Sequence, residues 1–283
     1  MSLNEIMLSL EIGLIYGIIA IGIYLTFRVI DFPDLTCDGS FVLGSAVSAT
    51  LIKAGISPWL SLVAATGAGG IAGALTSVLH LKFRITSLLS GILVSFMLYS
   101  INLRIMGGIP NISLVNNDTL FPQDSLITLV LIGLTICIII TYILITDFGL
   151  ALRSIGKNKR LAQISGINVA FMITIGLVFG NAIIALGGAL FTQHQGYSDV
   201  GSGIGTVIVG LASVMIGERI MPYRSILVQT VSCLIGSVTY KLFISFALHS
   251  DSLGFTTSDL NLITGIMVIA IMHIPKKSRR VIC

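Results

Sequence analysis

Charge is what this sequence has least of. Its 16 Lys and Arg and 12 Asp and Glu make up 10% of 283 residues, where a soluble domain carries about 25%. The apolar share is 55% and the mean hydropathy +1.02, which excludes a chain folded around a core in water. Cysteine is sparse and unpatterned. Cys37, Cys137, Cys233 and Cys283 are scattered, with no CxxC or Cys/His spacing, so neither a disulfide framework nor a metal site is expected and the thiols read as packing residues. A nucleotide loop is also lacking: Gly156-Lys157 is followed by Asn158, and Ala151 stands where the first glycine would be needed. The chain is therefore expected to hold no cofactor of its own. His80, His194, His249 and His273 fall at or near the ends of apolar runs, where they read as residues of the aqueous interface.

What is present is a succession of apolar stretches. At about 20 residues per crossing, the length leaves room for about eight to ten spans and no large soluble domain. Interruptions delimit nine: 6–27, 38–52, 59–81, 85–106, 125–146, 169–192, 204–221, 225–248 and 260–274. The first, Ile6–Phe27, has no preceding basic residue and no small-residue cleavage site after it, and is expected to be a span rather than a cleaved signal. The second and ninth are short. The expected fold is an all-α polytopic transmembrane bundle, one domain over residues 1–283.

Lys and Arg orient it, because cytoplasmic loops retain them. With nine crossings and the C-terminus inside, Arg28, Lys82, Arg84, Arg153, Lys157, Lys159, Arg160, Arg219, Arg224, Lys276, Lys277, Arg279 and Arg280 share the cytoplasmic side, leaving Lys53, Arg104 and Lys241 of the 16 basic residues. The N-terminus is then outside, as are the loops with Asp118, Asp124, Asp199, Asp251 and Asp259. The net charge of +4 is thereby a topology signal, and no nucleic-acid partner is implied.

The halves resemble each other in reverse. Gly13-Leu-Ile-Tyr-Gly17 precedes an Ala/Ile/Gly run and the polar segment Asp31-Phe-Pro-Asp-Leu-Thr-Cys-Asp-Gly-Ser40. Gly176-Leu-Val-Phe-Gly180 precedes another such run and Gln195-Gly-Tyr-Ser-Asp-Val-Gly-Ser-Gly203. The two stretches run in opposite directions, as in an inverted repeat. Irregular polar backbone at membrane depth survives only where it lines a cavity or is buried in protein. Tyr16, Asp34, Thr36, Asp38, Ser40, Asn181 and Gln195 are accordingly the expected lining of a translocation path. Asp31, Asp34 and Asp38 also spell DxxDxxxD, the shape of a magnesium-diphosphate motif of intramembrane prenyltransferases. Pro33 sits inside it, and the second acidic motif such enzymes need is missing. A secondary transporter would share the repeat but has no use for a long basic loop.

That loop, 147–168, reads DFGLALRSIGKNKRLAQISGIN. Joining two spans needs only a few residues, whereas this segment has a short helical stretch over 158–165 with a glycine stop at Gly166. Here the chain resembles the branched-chain amino acid and ribose type permeases of ABC importers, in which an Ala-x-x-x-Gly pattern marks the coupling helix; Ala162 and Gly166 match it. Phe27-Arg-Val-Ile-Asp-Phe-Pro-Asp-Leu-Thr-Cys-Asp-Gly-Ser-Phe41, Gln195-Gly-Tyr197 and Asp259-Leu-Asn-Leu-Ile-Thr264 are similar to a branch associated with aromatic amino acids and related small solutes, with Cys37 departing where an aliphatic residue is expected. The resemblance implies an inner-membrane homodimer of permeases, ABC ATPase subunits that hold ATP and Mg, a periplasmic or lipid-anchored solute-binding protein, and coupling contacts from Arg153, Lys159, Arg160, Leu161, Ala162, Ile164 and Gly166.

Overall fold

The computed structural model describes residues 3–115, 117–121, 125–221, 225–248 and 260–273. Arg224, Asp124, Asp251, Asp259 and the basic residues from Lys276 onward lie outside them. Eleven α-helices are present among the described residues: α1 (Leu3–Ile23), continued by a π-helical turn Tyr24–Val29, α2 (Thr36–Lys53), α3 (Pro58–Leu81), α4 (Ser87–Ile105), α5 (Ser125–Ile145), α6 (Asp147–Lys157), α7 (Lys159–Ile164), α8 (Val169–Gln195), α9 (Thr206–Ile220), α10 (Ile226–Leu248) and α11 (Leu260–His273). Two three-residue strands, β1 (Asn111–Ser113) and β2 (Tyr197–Asp199), pair antiparallel with Asn111 opposite Asp199 and Ser113 opposite Tyr197.

Among the described residues, seven helical segments are long and apolar enough to cross a membrane: Asn4–Val29, Pro58–Leu81, Ser87–Ile105, Ser125–Ile145, Val169–Gln195, Val200–Ile220 and Ile226–Leu248. Nine were expected. Helices do stand at the second and ninth positions, but α2 opens with Thr36-Cys-Asp-Gly-Ser40 and is too polar, and α11 has only 14 residues.

α1 is predominantly apolar beyond Glu11 and packs against α5, α8, α9 and α10. Burial alone does not assemble helices in lipid, because the tails are as apolar as leucine; close van der Waals contact does. The seam between α2 and α8 shows how it is reached. A Cβ on Gly44 would strike the Ala185 carbonyl, and one on Gly188 the Phe41 carbonyl, so these two glycines let backbone lie on backbone.

Two connections fold back into the bundle. The end of α1 brings Ile30 against Gly176 of α8 and Val29 against Gly156 of α6. After Asp31, whose φ of 51° turns the chain, the segment climbs until Asp34 meets Asn181, five residues or roughly 7.5 Å further along α8. α2 therefore starts inside the bundle. At the opposite end α8 stops at Gly196 (φ 74°). The chain passes through β2 and a 3-10 turn (Val200–Gly203), then descends from Ser198 beside Ser45 to Gly205 and Val207 beside Asp38. That is seven residues of α2, roughly 10 Å, so α9 also starts inside. The two re-entries run in opposite senses, the form of an inverted repeat.

Candidate translocation and docking sites

Where α2 begins, polar groups from four elements close on each other. The Asn181 amide donates to Asp34 Oδ2 at 2.7 Å, and Ser40 Oγ donates to Asn181 Oδ1 at 2.7 Å. Asp34 Oδ1 caps α2 by accepting the Thr36 N–H at 2.9 Å, while the Thr36 and Thr76 hydroxyls share a hydrogen at 2.7 Å. A free N–H at a helix start needs such an acceptor, and in lipid no water could substitute. Asp34, Thr36, Ser40 and Asn181 are all fully buried. Four of the seven expected path residues thus form a closed structural knot rather than an open lining.

Tyr16 is buried too, in an aromatic cluster with Phe41 (centroids 6.3 Å apart) and Phe191 (6.1 Å). The Lys241 ammonium lies 3.9 Å over its ring in a cation–π contact. Gln195 is the half-buried last residue of α8. Asp38 differs. Its carboxylate accepts the backbone N–H of Gly205 at 3.3 Å and of Val207 at 2.9 Å, capping α9 from a neighbouring helix. One side of it borders a cleft of about 80 Å³ between α2, α4 and the turn before α9.

Two further clusters were not singled out from the sequence. At the Arg28 end, Arg28 pairs with Glu218 of α9 at 2.7 Å and the Tyr24 hydroxyl donates to Gln229 of α10 at 2.5 Å. Both bonds start from the π-helical turn of α1, and π turns recur at functional positions. At the other end, Glu11 pairs with His194 at 2.9 Å and accepts from Ser125. The signal was Glu11 and Glu218 themselves: carboxylates on otherwise apolar spans need partners.

The 147–168 connection is two helices rather than one. α6 buries Gly149, Leu152 and Ile155 at a spacing of three, so it lies with one stripe against the bundle. Thr146 caps it and Asn158 caps α7, accepting the Leu161 N–H at 3.0 Å. Gly166, at φ 84°, ends the turn in the left-handed region where a glycine is favoured. Arg153 is half-buried and donates to Gly149 O, while Lys159 and Arg160 are exposed. Leu161 is 62% exposed and Ile164 76%, but Ala162 is only 3% exposed. Ala162, expected on the outward face with its neighbours, is turned into its own chain.

Helices broken inside an inverted repeat are the architecture of a membrane transport protein, and the amphipathic helix pair between the halves adds a surface for a partner. The family model for the branched-chain amino acid transport system permease component matches residues 6–272, and the chain belongs to that family. It is 42% identical over 262 residues to the tyrosine transport system permease protein of Clostridioides difficile, covering 92% of this chain and 88% of that one. Among solved structures, PsaBC from Streptococcus pneumoniae in complex with Fab is similar in fold, with TM-score 0.59, 15% identity, and coverage of 96% of this chain and 92% of that one. An inward-facing metal-chelate type ABC transporter is also similar, with TM-score 0.52, 15% identity, and coverage of 95% and 86%. The chain is a multi-pass membrane permease and a transport subunit, not an enzyme; the prenyltransferase and secondary-transporter alternatives are not favoured.

Proposed function

We propose that this permease imports an aromatic amino acid, tyrosine first among them, by alternating access driven by ATPase subunits that dock on α6 and α7. The observation that carries the docking half is the outward pair Leu161 and Ile164, both well exposed on a six-residue helix at the end of the molecule that gathers Arg28, Arg153 and Lys157. Two large apolar side chains flanked by Lys159 and Arg160 have the composition of an interface core with a polar rim. The substrate half is carried by the 42% identity to a permease named for tyrosine.

On this reading the basic end faces the cytoplasm of the inner membrane and the β1–β2 end faces a periplasmic or lipid-anchored binding protein. A second copy completes the path, and ATP with Mg is held by the ATPase chains alone. Arg153 and Gly166 shape the docking pair, with Ala162 packing beneath it.

The test is ATP-dependent tyrosine uptake by proteoliposomes holding the permease with its ATPase subunits. Leu161→Asp combined with Ile164→Asp should cut co-purification of those subunits about tenfold or more, since apolar anchors dominate such contacts and a buried unpaired charge opposes them. Uptake that follows an ion gradient without ATP, or wild-type co-purification by the double variant, would refute the reading.

A further inference from the structure

A residue lining the cleft beside Asp38 carries a buried acceptor without a donor. Asn102, on α4, is 1% exposed; its amide nitrogen donates to Gly39 O at 3.3 Å, and its Oδ1 has no hydrogen-bond partner among the described residues. Leaving such a group unpaired in the interior is unfavourable, so it is expected to meet a donor at some stage of the working cycle. Asp38 lines the same cleft. Its oxygens accept the N–H groups of Gly205 and Val207, with the Thr206 N–H directed at the carboxylate as well, and a carboxylate has about four lone-pair sites, so about one acceptor position is left over. Asp38 makes no ion pair among the described residues, and the cleft's lining contains no Lys, Arg or His. The cleft therefore offers acceptors and a formal negative charge, with no cation of its own.

We infer that this cleft receives the primary ammonium group of the transported amino acid, with Asp38 and Asn102 Oδ1 as its acceptors. The inference rests on the amino-acid reading above and names the residues that would recognise such a solute. Size agrees: about 80 Å³ is room for an ammonium head and a few waters at about 10–15 Å³ each, not for an aromatic side chain. That side chain stays outside, where Tyr99, 56% exposed, and Ile204, 84% exposed, flank the mouth. A divalent cation is a poorer occupant, because it needs six or more oxygen ligands and one carboxylate lines the cleft. Ionisable groups at membrane depth mark substrate pathways. The irregular backbone of 200–205 on one wall is the kind tolerated only beside protein or a water-filled cavity.

The experiment uses the complete transporter, permease with its ATPase subunits, in lipid nanodiscs. A Tyr99→Cys variant, altered at an exposed position, is labelled with a small maleimide. Tyrosine should slow labelling, whereas its deaminated analogue 3-(4-hydroxyphenyl)propanoate should not. Adding Asn102→Leu should raise the tyrosine concentration needed for protection at least tenfold, and Asn102→Asp, nearly isosteric and still an acceptor, should lower it. If Asn102→Leu fails to assemble, the contrast between tyrosine and its analogue on Tyr99→Cys still decides. Equal protection by both compounds, or none by either, in a complex that imports tyrosine would overturn the inference and leave the transport reading intact. Import of a nucleoside, which has no primary ammonium, in place of any amino acid would overturn both.

Discussion

At the scale of single residues, the polar groups buried in this bundle fix where helices start. Asn181 serves two of them at once, donating to Asp34 and accepting from Ser40. Asn181→Leu leaves the Asp34 carboxylate short of a donor and Ser40 short of an acceptor, and should cost about 2–3 kcal/mol, read as a lower unfolding midpoint in detergent. Asp34→Asn in the same background should recover part of the loss, because the stranded charge is gone; equal destabilisation in both backgrounds would show that the knot is not coupled. The polar set was legible in the sequence, since Asp, Thr, Ser and Asn interrupting apolar runs stand out. Its use was not. Asp34 and Asn181 are 147 residues apart, and polarity alone does not distinguish a group facing a path from one satisfied by another buried group. Asn102 was passed over for a related reason: a single amide near the end of a span reads as an interfacial residue.

At the scale of elements, apolar runs located the spans, whereas their polar starts misled. Residues 31–40 read as one irregular stretch, yet the helix begins at Thr36 because Asp34 supplies the missing acceptor. α6 was hidden because Leu152 and Ile155 alternate with Arg153 and Ser154, so an amphipathic helix looked like a basic loop. Its Gly156 has a particular consequence. A Cβ there would strike the Val29 carbonyl at the end of α1's π-helical turn, so α6 and α1 touch backbone to backbone. Gly156→Val should push them apart, leaving the ATPase subunits bound and hydrolysing ATP while tyrosine uptake falls at least several-fold. By contrast, a Cβ at Gly166 meets nothing within 4 Å. Gly166→Ala should cost about 1 kcal/mol, or somewhat more, through its positive φ alone. Uptake unchanged by Gly156→Val would remove this contact from the route between docking helix and bundle.

At the scale of the whole molecule, the re-entrant connections lie at opposite ends, as do the β1–β2 pair and the α6–α7 pair. Cysteines introduced at 111–113 and at 157–160 should be reached by impermeant reagents from opposite faces of the membrane, the first from outside; labelling of both from one face would end the proposed orientation. Helix α1 is in contact with α5, α8, α9 and α10, and it ends in a π-helical turn. A π turn holds surplus chain, about one residue wound into a wider loop. If that residue were released and the turn relaxed to α-helix, everything beyond it would rotate by about 100°. Arg28 would swing away from Glu218, and Val29 would turn under α6. Relaxing the turn would therefore break the Arg28–Glu218 pair and re-register the chain that leads into α2.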